Sequence, residues 1–348
     1  MKNVRTVTPY VPGEQPQAGR MIKLNTNENP YPPAPLVSEK LSQIDADAFK
    51  LYPDPDVSEL AGELAAYHGV DKNQVFVGVG SDDVLAMAFL TFFNSDVPVL
   101  FPDITYSFYD VWADLFNIPY VRPALRDDFT IDINDYKKPN GGVVIANPNA
   151  PTSIALSIDN IEEIVAANEE AVVIIDEAYI DFGGETALSL VNRYDNLLVV
   201  RTYSKSRSMA GMRIGYAIGN KELIKALNNV KGSYNSYTMN MPAIILGTIS
   251  LKDDKYFKDT VAKIITTREN TKASLKELGF DVLDSSANFL FATHKDMAAK
   301  ELFEKLREKN IYVRYFNKPR IDNYLRITIG TDDEMIEFLE EVKSILSL

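Results

Sequence analysis

The chain contains no cysteine and only two histidines, and basic residues are outnumbered by acidic ones. It also has no apolar run of the roughly 20 residues that a bilayer span needs. Each shortage closes a route. Without cysteine there is no disulfide framework and no thiolate nucleophile, which suits a reducing compartment. His68 and His294 stand far apart in sequence and read as surface or packing residues, so no metal site is expected. Met1 to Arg20 lacks the apolar core of a signal peptide. With 49 acidic against 36 basic residues the net charge is −13, which disfavours nucleic acid and anionic membranes as partners but leaves room for a local basic pocket. The expectation is a cytoplasmic enzyme or binding protein for small molecules.

At 348 residues, 46% hydrophobic and 24% charged, the chain has the composition of a globular protein and is long for a single core. Apolar runs alternate with segments of helical spacing. The strand-like runs are "QVFVGVG" (74–80), "VPVLF" (97–101), "GVVIAN" (142–147), "AVVIID" (171–176), "LLVVR" (197–201) and "IGYAIG" (214–219). Helical patterns between them include 82–93, 105–116 and 159–167. Continuous apolar strands separated by helices predict a mostly parallel sheet covered by helices on both faces, because each crossover lays a helix over the sheet. Beyond residue 250 a long charged helical pattern (252–279) leads to "ANFLFAT", "IYVRYF" and "YLRITIG", with one helix after the first of these and another at the C-terminus. The expectation is an α/β fold in three parts. They are a proline-rich N-terminal arm (1–30) packing partly with the small domain, a large domain (31–250), and a smaller α+β domain (251–348).

In such a sheet, ligands sit beyond the carboxyl ends of the strands. The residues closing them are Gly80-Ser81-Asp82, Asn147 to Thr152, Asp176 to Tyr179, and Thr202 to Lys205 within "VVRTYSKSRSMAGMRIGY" (199–216). That edge is too polar for packing alone. Asp176 fits a helix cap or a structural ion pair, or else a carboxylate that binds a heteroaromatic nitrogen and keeps it protonated. Most lysines are solvated charges. Lys205, one crossover after Asp176 and close in sequence to Arg207 and Arg213, instead fits a reactive amine. An aspartate and a lysine so placed are what pyridoxal phosphate requires: an amine for its aldehyde and an acid partner for its ring nitrogen. Rival readings are weaker. "VGVGSD" lacks the third glycine of a dinucleotide fingerprint, and Asp82-Asp83 at a helix start are more often caps than cation ligands. "KKP" (137–139) reads as a solvated turn, and "YNSYTMN" (234–240) as core or dimer surface.

At these residues the sequence resembles the histidinol-phosphate aminotransferases, within the aspartate-aminotransferase-like fold of pyridoxal-phosphate enzymes. The resemblance runs through "TPYVPG" (8–13), "LNTNENPYPP" (24–33), "LYPDP" (51–55), "GVGSDD" (78–83) and "FPDITYSFY" (101–109). It continues through "NPNAPTS" (147–153), "IIDEAYIDF" (174–182), "RTYSKSRSMAGMRIGY" (201–216) and "LRITIG" (325–330). It implies a transaminase of histidine biosynthesis, exchanging histidinol phosphate and 2-oxoglutarate for imidazole-acetol phosphate and glutamate. The alternatives are an aromatic amino-acid aminotransferase or a threonine-phosphate decarboxylase of similar fold. A non-catalytic regulator of this fold would need an added DNA-binding domain, which residues 1–30 are too short and proline-rich to supply.

The resemblance also implies roles. Lys205 would form the Schiff base with pyridoxal 5'-phosphate and shuttle the proton. Asp176 would hold the ring nitrogen protonated, Tyr179 would donate to the phenolate oxygen, and Tyr106 would stack on the ring. Ser81 and Asp82 at a helix start, with Thr202, Ser204 and Arg213, would hold the phosphate. Tyr52 would reach the partner's cofactor across a homodimer. The substrate-binding set would be Tyr10, Asn27, Arg314, Arg326 and Tyr234. Two positions depart from the family pattern "NPNNPTG". Ala150 stands where a second asparagine would donate to the cofactor, leaving Asn149 as the nearest substitute, and Ser153 replaces a glycine.

Overall fold

The computed structural model describes residues 4–15 and 19–347; residues 1–3 and 16–18 of the expected arm, and Leu348, lie outside the described residues. In chain order the elements begin with β1 (Ile22–Lys23), α1 (Pro35–Ser42), α2 (Ser58–His68), β2 (Val75–Gly78), α3 (Ser81–Phe92) and β3 (Val99–Leu100). There follow α4 (Phe108–Phe116), β4 (Tyr120–Val121), β5 (Gly142–Ala146), α5 (Ile158–Ala166), β6 (Val173–Asp176), β7 (Leu197–Thr202) and β8 (Gly215–Gly219). Next come α6 (Lys221–Tyr234), α7 (Met241–Ser250), α8 (Asp254–Glu277), β9 (Phe280–Val282), β10 (Phe289–His294) and α9 (Ala299–Glu308). The last are β11 (Ile311–Tyr312), β12 (Arg314–Tyr315), β13 (Leu325–Thr328) and α10 (Asp332–Leu346).

Seven strands form the large sheet in the order β2-β8-β7-β6-β5-β3-β4. From β7 to β4 they run parallel, whereas β8 is antiparallel to both β7 and β2. The strand period of two explains why the central runs are wholly apolar. Val143, Ile145, Val173, Ile175 and Val199 meet Leu60, Leu64, Ile161 and Ile164 of α2 and α5 in one core. Val144, Ile174, Leu198 and Val200 meet Val84, Leu85, Trp112 and Leu227 of α3, α4 and α6 on the other face. Each buried Val, Ile or Leu contributes about 1.5–3 kcal/mol, so these strands hold their register with no polar help.

A second, antiparallel sheet runs β12-β13-β10-β9, and helices α8, α9 and α10 pack on it through Ile264, Leu275, Leu302, Leu306, Met335 and Phe338. The fold is thus α/β, with a large and a small domain. The run "IYVRYF" is not one strand. It breaks at Val313, so that β11 pairs parallel with β1 from the N-terminal segment while β12 pairs with β13. In α8 the buried positions Val261, Ile264, Thr267, Arg268, Thr271 and Leu275 recur at helical spacing. Arg268, buried there, donates to the carbonyls of Phe182 and Ala287 and so links the two sheets' surroundings. Among the described residues no helix is long and apolar enough to cross a membrane.

Candidate active site

The site lies where β2, β5, β6 and β7 end. Strand β2 turns into α3 through Gly80, at φ 88°, and no side chain caps the helix. Its first N–H groups therefore face the open space, the arrangement that binds anions. Two glycines are required here. A Cβ on Gly80 would sit 2.6 Å from Nη2 of Arg213, and one on Gly215 would sit 2.2 Å from the Gly80 carbonyl carbon. Arg213 thereby lies over the start of α3, with Nη2 3.3 Å from Asp82 Oδ2 and Nη1 donating to Ala210. Ser204 adds a hydroxyl, fixed by the Thr202 hydroxyl, which donates to Ser204 Oγ at 2.9 Å and accepts from the Ser204 N–H.

Lys205 follows, on the turn after β7. Its Nζ donates to the Thr26 carbonyl at 3.2 Å and lies 5.6 Å from the centre of the Tyr179 ring. The turn itself is clamped, because Asn29 Nδ2 donates to the carbonyls of Lys205 and Ser206, and Ser206 Oγ donates to Asp181. Arg207, expected beside the lysine, points away. It stacks on Tyr67, Tyr203 and Phe257 and donates to the Ser250 carbonyl. Successive residues of a tight turn diverge, which closeness in sequence does not reveal.

Asp176 ends β6, buried. Its carboxylate accepts from the Tyr109 hydroxyl at 2.8 Å and from the Ala178 N–H at 3.2 Å. Burial pushes its pKa up to about 6, although both donors pull it down. Behind it Glu177, also buried, pairs with Arg201 at 2.9 Å and accepts from Thr186 and Ala187.

Lys205, Asp176, Tyr179, Tyr106, Ser204, Ser81, Asp82 and Arg213 all line one cavity of about 190 Å³. Tyr106 donates to Asp82 Oδ1 at 2.8 Å. Asn27 Nδ2 donates to the Tyr179 hydroxyl, while its own N–H and amide oxygen meet Thr328 of β13. It is therefore a strut beneath Tyr179 and not part of the cavity wall.

A second cluster adjoins Tyr179. Arg314 and Arg326 are directly opposed across β12 and β13. Arg326 donates to the Asn25 carbonyl and packs against Phe289 and Phe316, and its Nε is buried without a partner among the described residues. Burial lowers its pKa, and the Arg314 charge adds to this. Tyr10 stacks on Phe108 at 4.3 Å. Burial raises the Tyr10 pKa even though both arginines pull it down, so its hydroxyl stays protonated beside them.

Three expected residues stand elsewhere. Asn149 spends its amide hydrogens on the Ile104 carbonyl and Thr152 Oγ1 and its oxygen on Thr105, facing a separate cavity of about 450 Å³. Ala150 lines the main cavity instead. The N–H donor expected from Asn149 is therefore not delivered to it: the two residues are adjacent, and the loop turns only one of them inward. Tyr52, 81% exposed, stacks on Tyr237 at 4.6 Å, and Tyr234 is 74% exposed, both outside this cavity within the chain. Ser153, in place of the expected glycine, itself adopts φ 67°. Its hydroxyl reaches the Asp284 carbonyl at 3.2 Å. Residues the sequence did not single out are Tyr109, Thr26 and Glu28. All three lie inside quoted motifs. Tyr109 and Thr26 bond to segments far along the chain, whereas Glu28 bonds locally to Lys23 and Thr26 and belongs to the site by lining its cavity.

The sequence pattern of aminotransferases of class I and II matches residues 19–342. A histidinol-phosphate aminotransferase of Brachyspira hyodysenteriae is 54% identical, over 98% of this chain and 97% of its own. One of Clostridium botulinum is 51% identical, over 99% and 97%. A solved histidinol-phosphate aminotransferase of Sinorhizobium meliloti, in complex with pyridoxal-5'-phosphate, is 23% identical and superposes with a TM-score of 0.85 over 93% of this chain and 91% of that one, a likeness of fold. Fold and pattern together define a transaminase of class I and II. Within that class the chain belongs to the histidinol-phosphate aminotransferase family.

Proposed function

We propose that this transaminase works with pyridoxal 5'-phosphate, in the cytoplasm and in histidine biosynthesis, exchanging histidinol phosphate and 2-oxoglutarate for imidazole-acetol phosphate and glutamate. The observation that carries the substrate reading is the Arg314–Arg326 pair. Like charges directly opposed on a sheet destabilise it, and a buried guanidinium nitrogen without an acceptor costs more. An anion between them answers both. Histidinol phosphate brings a phosphate and glutamate two carboxylates, and a planar, permanently charged fork accepts either in alternate half-reactions. The protonated Tyr10 hydroxyl adds a neutral donor.

The residues present fit the cofactor. The uncapped start of α3, the Ser204 hydroxyl and Arg213 form a phosphate cradle that a Cβ at Gly80 would fill. Asp176 is a buried carboxylate bonded, among the described residues, to a hydroxyl and an amide and to no cation, a setting that favours a cationic N–H as further partner. When bound, the cofactor supplies an electron-withdrawing ring that stabilises negative charge at the substrate Cα. Asp176 would keep that ring's nitrogen protonated. Tyr179, whose hydroxyl oxygen already accepts from Asn27, has its own hydrogen free to give to the ring oxygen. Tyr106 would cover a ring face. Lys205 would hold the cofactor through its amine, and that amine would serve as the base that takes the proton from the substrate Cα.

The site would be completed in a homodimer. Phe49, Leu51, Tyr52, Tyr234 and Tyr237 are large apolar side chains left exposed, with Phe49 beside Leu51 and Tyr52 stacked on Tyr237, as an interface would leave them in a single chain. Tyr52 would reach the partner's phosphate. The domain boundary falls near residue 250, since α7 packs in the core of the large sheet and α8 in that of the small one. Single-turnover half-reactions on histidinol phosphate, phenylalanine and threonine phosphate test the function. Preference for histidinol phosphate is expected, and preference for either other substrate overturns it. A visible absorption band abolished by borohydride checks the Schiff base.

A further inference from the structure

Three carboxylates line the main cavity: Asp82, Asp176 and Glu28. Two accept a hydrogen bond on each oxygen. Asp82 accepts from Tyr106 on Oδ1 and from Arg213 on Oδ2, and Asp176 accepts from Ala178 on Oδ1 and Tyr109 on Oδ2. Glu28 differs. Lys23 Nζ and Thr26 Oγ1 both donate to its Oε2, and among the described residues Oε1 receives no hydrogen bond. Burial pushes the Glu28 carboxyl up, but those two bonds, together with the charges of Lys23 and Lys205, more than offset this and hold it below the usual carboxylate range.

The carboxylate is also held in place. Lys23 lies in β1, which pairs with β11, and Lys23 donates to Thr26 as well as to Glu28. Thr26 in turn accepts from Lys205 Nζ through its carbonyl, and Asn27 braces Tyr179. Glu28 therefore follows directly on two residues bonded to the reacting end of the cavity.

Histidinol phosphate carries three polar groups. Its amine is the reacting group, and its phosphate suits Arg314 and Arg326. The imidazole N–H still needs an acceptor. We propose that Oε1 of Glu28 accepts that N–H and so selects a nitrogen heteroaromatic side chain over a phenyl ring; this rests on the substrate reading above. A neutral oxygen would accept the same bond, but an ionised one makes it stronger and leaves an unpaired anion against a phenyl ring, which penalises that ring.

The experiment measures kcat/KM in single turnover for histidinol phosphate, phenylalanine and glutamate with the wild-type holoenzyme, Glu28→Leu and Glu28→Gln. In Glu28→Leu the ratio of histidinol phosphate to glutamate should fall about 10- to 100-fold, the worth of one hydrogen bond to a charged acceptor. The ratio of phenylalanine to histidinol phosphate should rise. Glu28→Gln, which keeps an acceptor, should fall between. An unchanged ratio in Glu28→Leu, or an equal loss toward histidinol phosphate and glutamate, overturns the role of Glu28 and leaves it a structural partner of Lys23. A wild-type enzyme inactive on histidinol phosphate overturns the substrate reading itself, and this proposal with it.

Discussion

Nζ of Lys205 donates to the carbonyl oxygen of Thr26 at 3.2 Å, a bond between residues 179 positions apart. The N-terminal segment is thus a wall of the site and not a tether. The lysine's backbone is clamped by Asn29, while its amine holds one neutral acceptor, a bond exchangeable at little cost, about 1 kcal/mol. A reactive amine needs that combination of fixed position and a free head.

Lys205→Ala should abolish transamination and leave the fold intact. The side chain supports no core cluster, so its loss opens a site wall and not a core cavity. Activity should drop by more than about a thousandfold, or about 4 kcal/mol in activation free energy. Steady-state turnover, with a melting curve as control, checks this. Near wild-type turnover would remove the lysine from the chemistry.

Asp176→Asn should cost catalysis far more than folding, since an amide cannot keep a ring nitrogen charged. A loss of less than about tenfold, roughly 1.4 kcal/mol, speaks against the role. The same variant has a pH signature in the cofactor-free protein. The folded pKa of about 6 lies above the ordinary aspartate value of 3.8, so between the two the folded state binds more protons than the unfolded one. Stability contributed by this group is therefore present below pH 4 and lost as pH rises to 6, on the order of 3 kcal/mol. Urea unfolding at pH 4 and 7 should show the wild type losing more stability over that interval than Asp176→Asn. Equal changes in the two proteins would contradict it.

Arg326→Ala should impair both half-reactions by about 2–4 kcal/mol in kcat/KM, because each substrate then buries an anion without its fork. Arg314→Ala should weaken histidinol phosphate more than glutamate. Each half-reaction measured alone in single turnover decides it, and intact rates in Arg326→Ala would mean that the substrates bind elsewhere.

Tyr52→Ala and Lys205→Ala should each be impaired alone yet complement when mixed after unfolding and refolding. A heterodimer holds one site with both residues present. Random pairing should restore about a quarter of wild-type activity. No recovery, with dimers shown by sedimentation, would mean that Tyr52 does not act across the interface.

Much of this protein was settled by local sequence. The strands of the large sheet were legible because both their faces are buried, which makes them unbroken apolar runs such as Val143 to Ala146 and Leu197 to Val200. Lys205, Asp176 and Ser81 were legible because they follow the ends of such runs, where chain position alone fixes the edge they reach. Tertiary structure decided what depends on pairing between distant segments. It reversed β8, split "IYVRYF" between two sheets, and set Arg314 opposite Arg326. It turned Asn149 away from the main cavity and Ala150 toward it, placed Tyr109 against Asp176, and left Glu28 Oε1 without a hydrogen bond among the described residues. The physical reason is range: hydrophobic periodicity is written within about ten residues of chain, whereas a hydrogen bond or an ion pair is decided by which remote atoms the finished packing brings within about 3 Å.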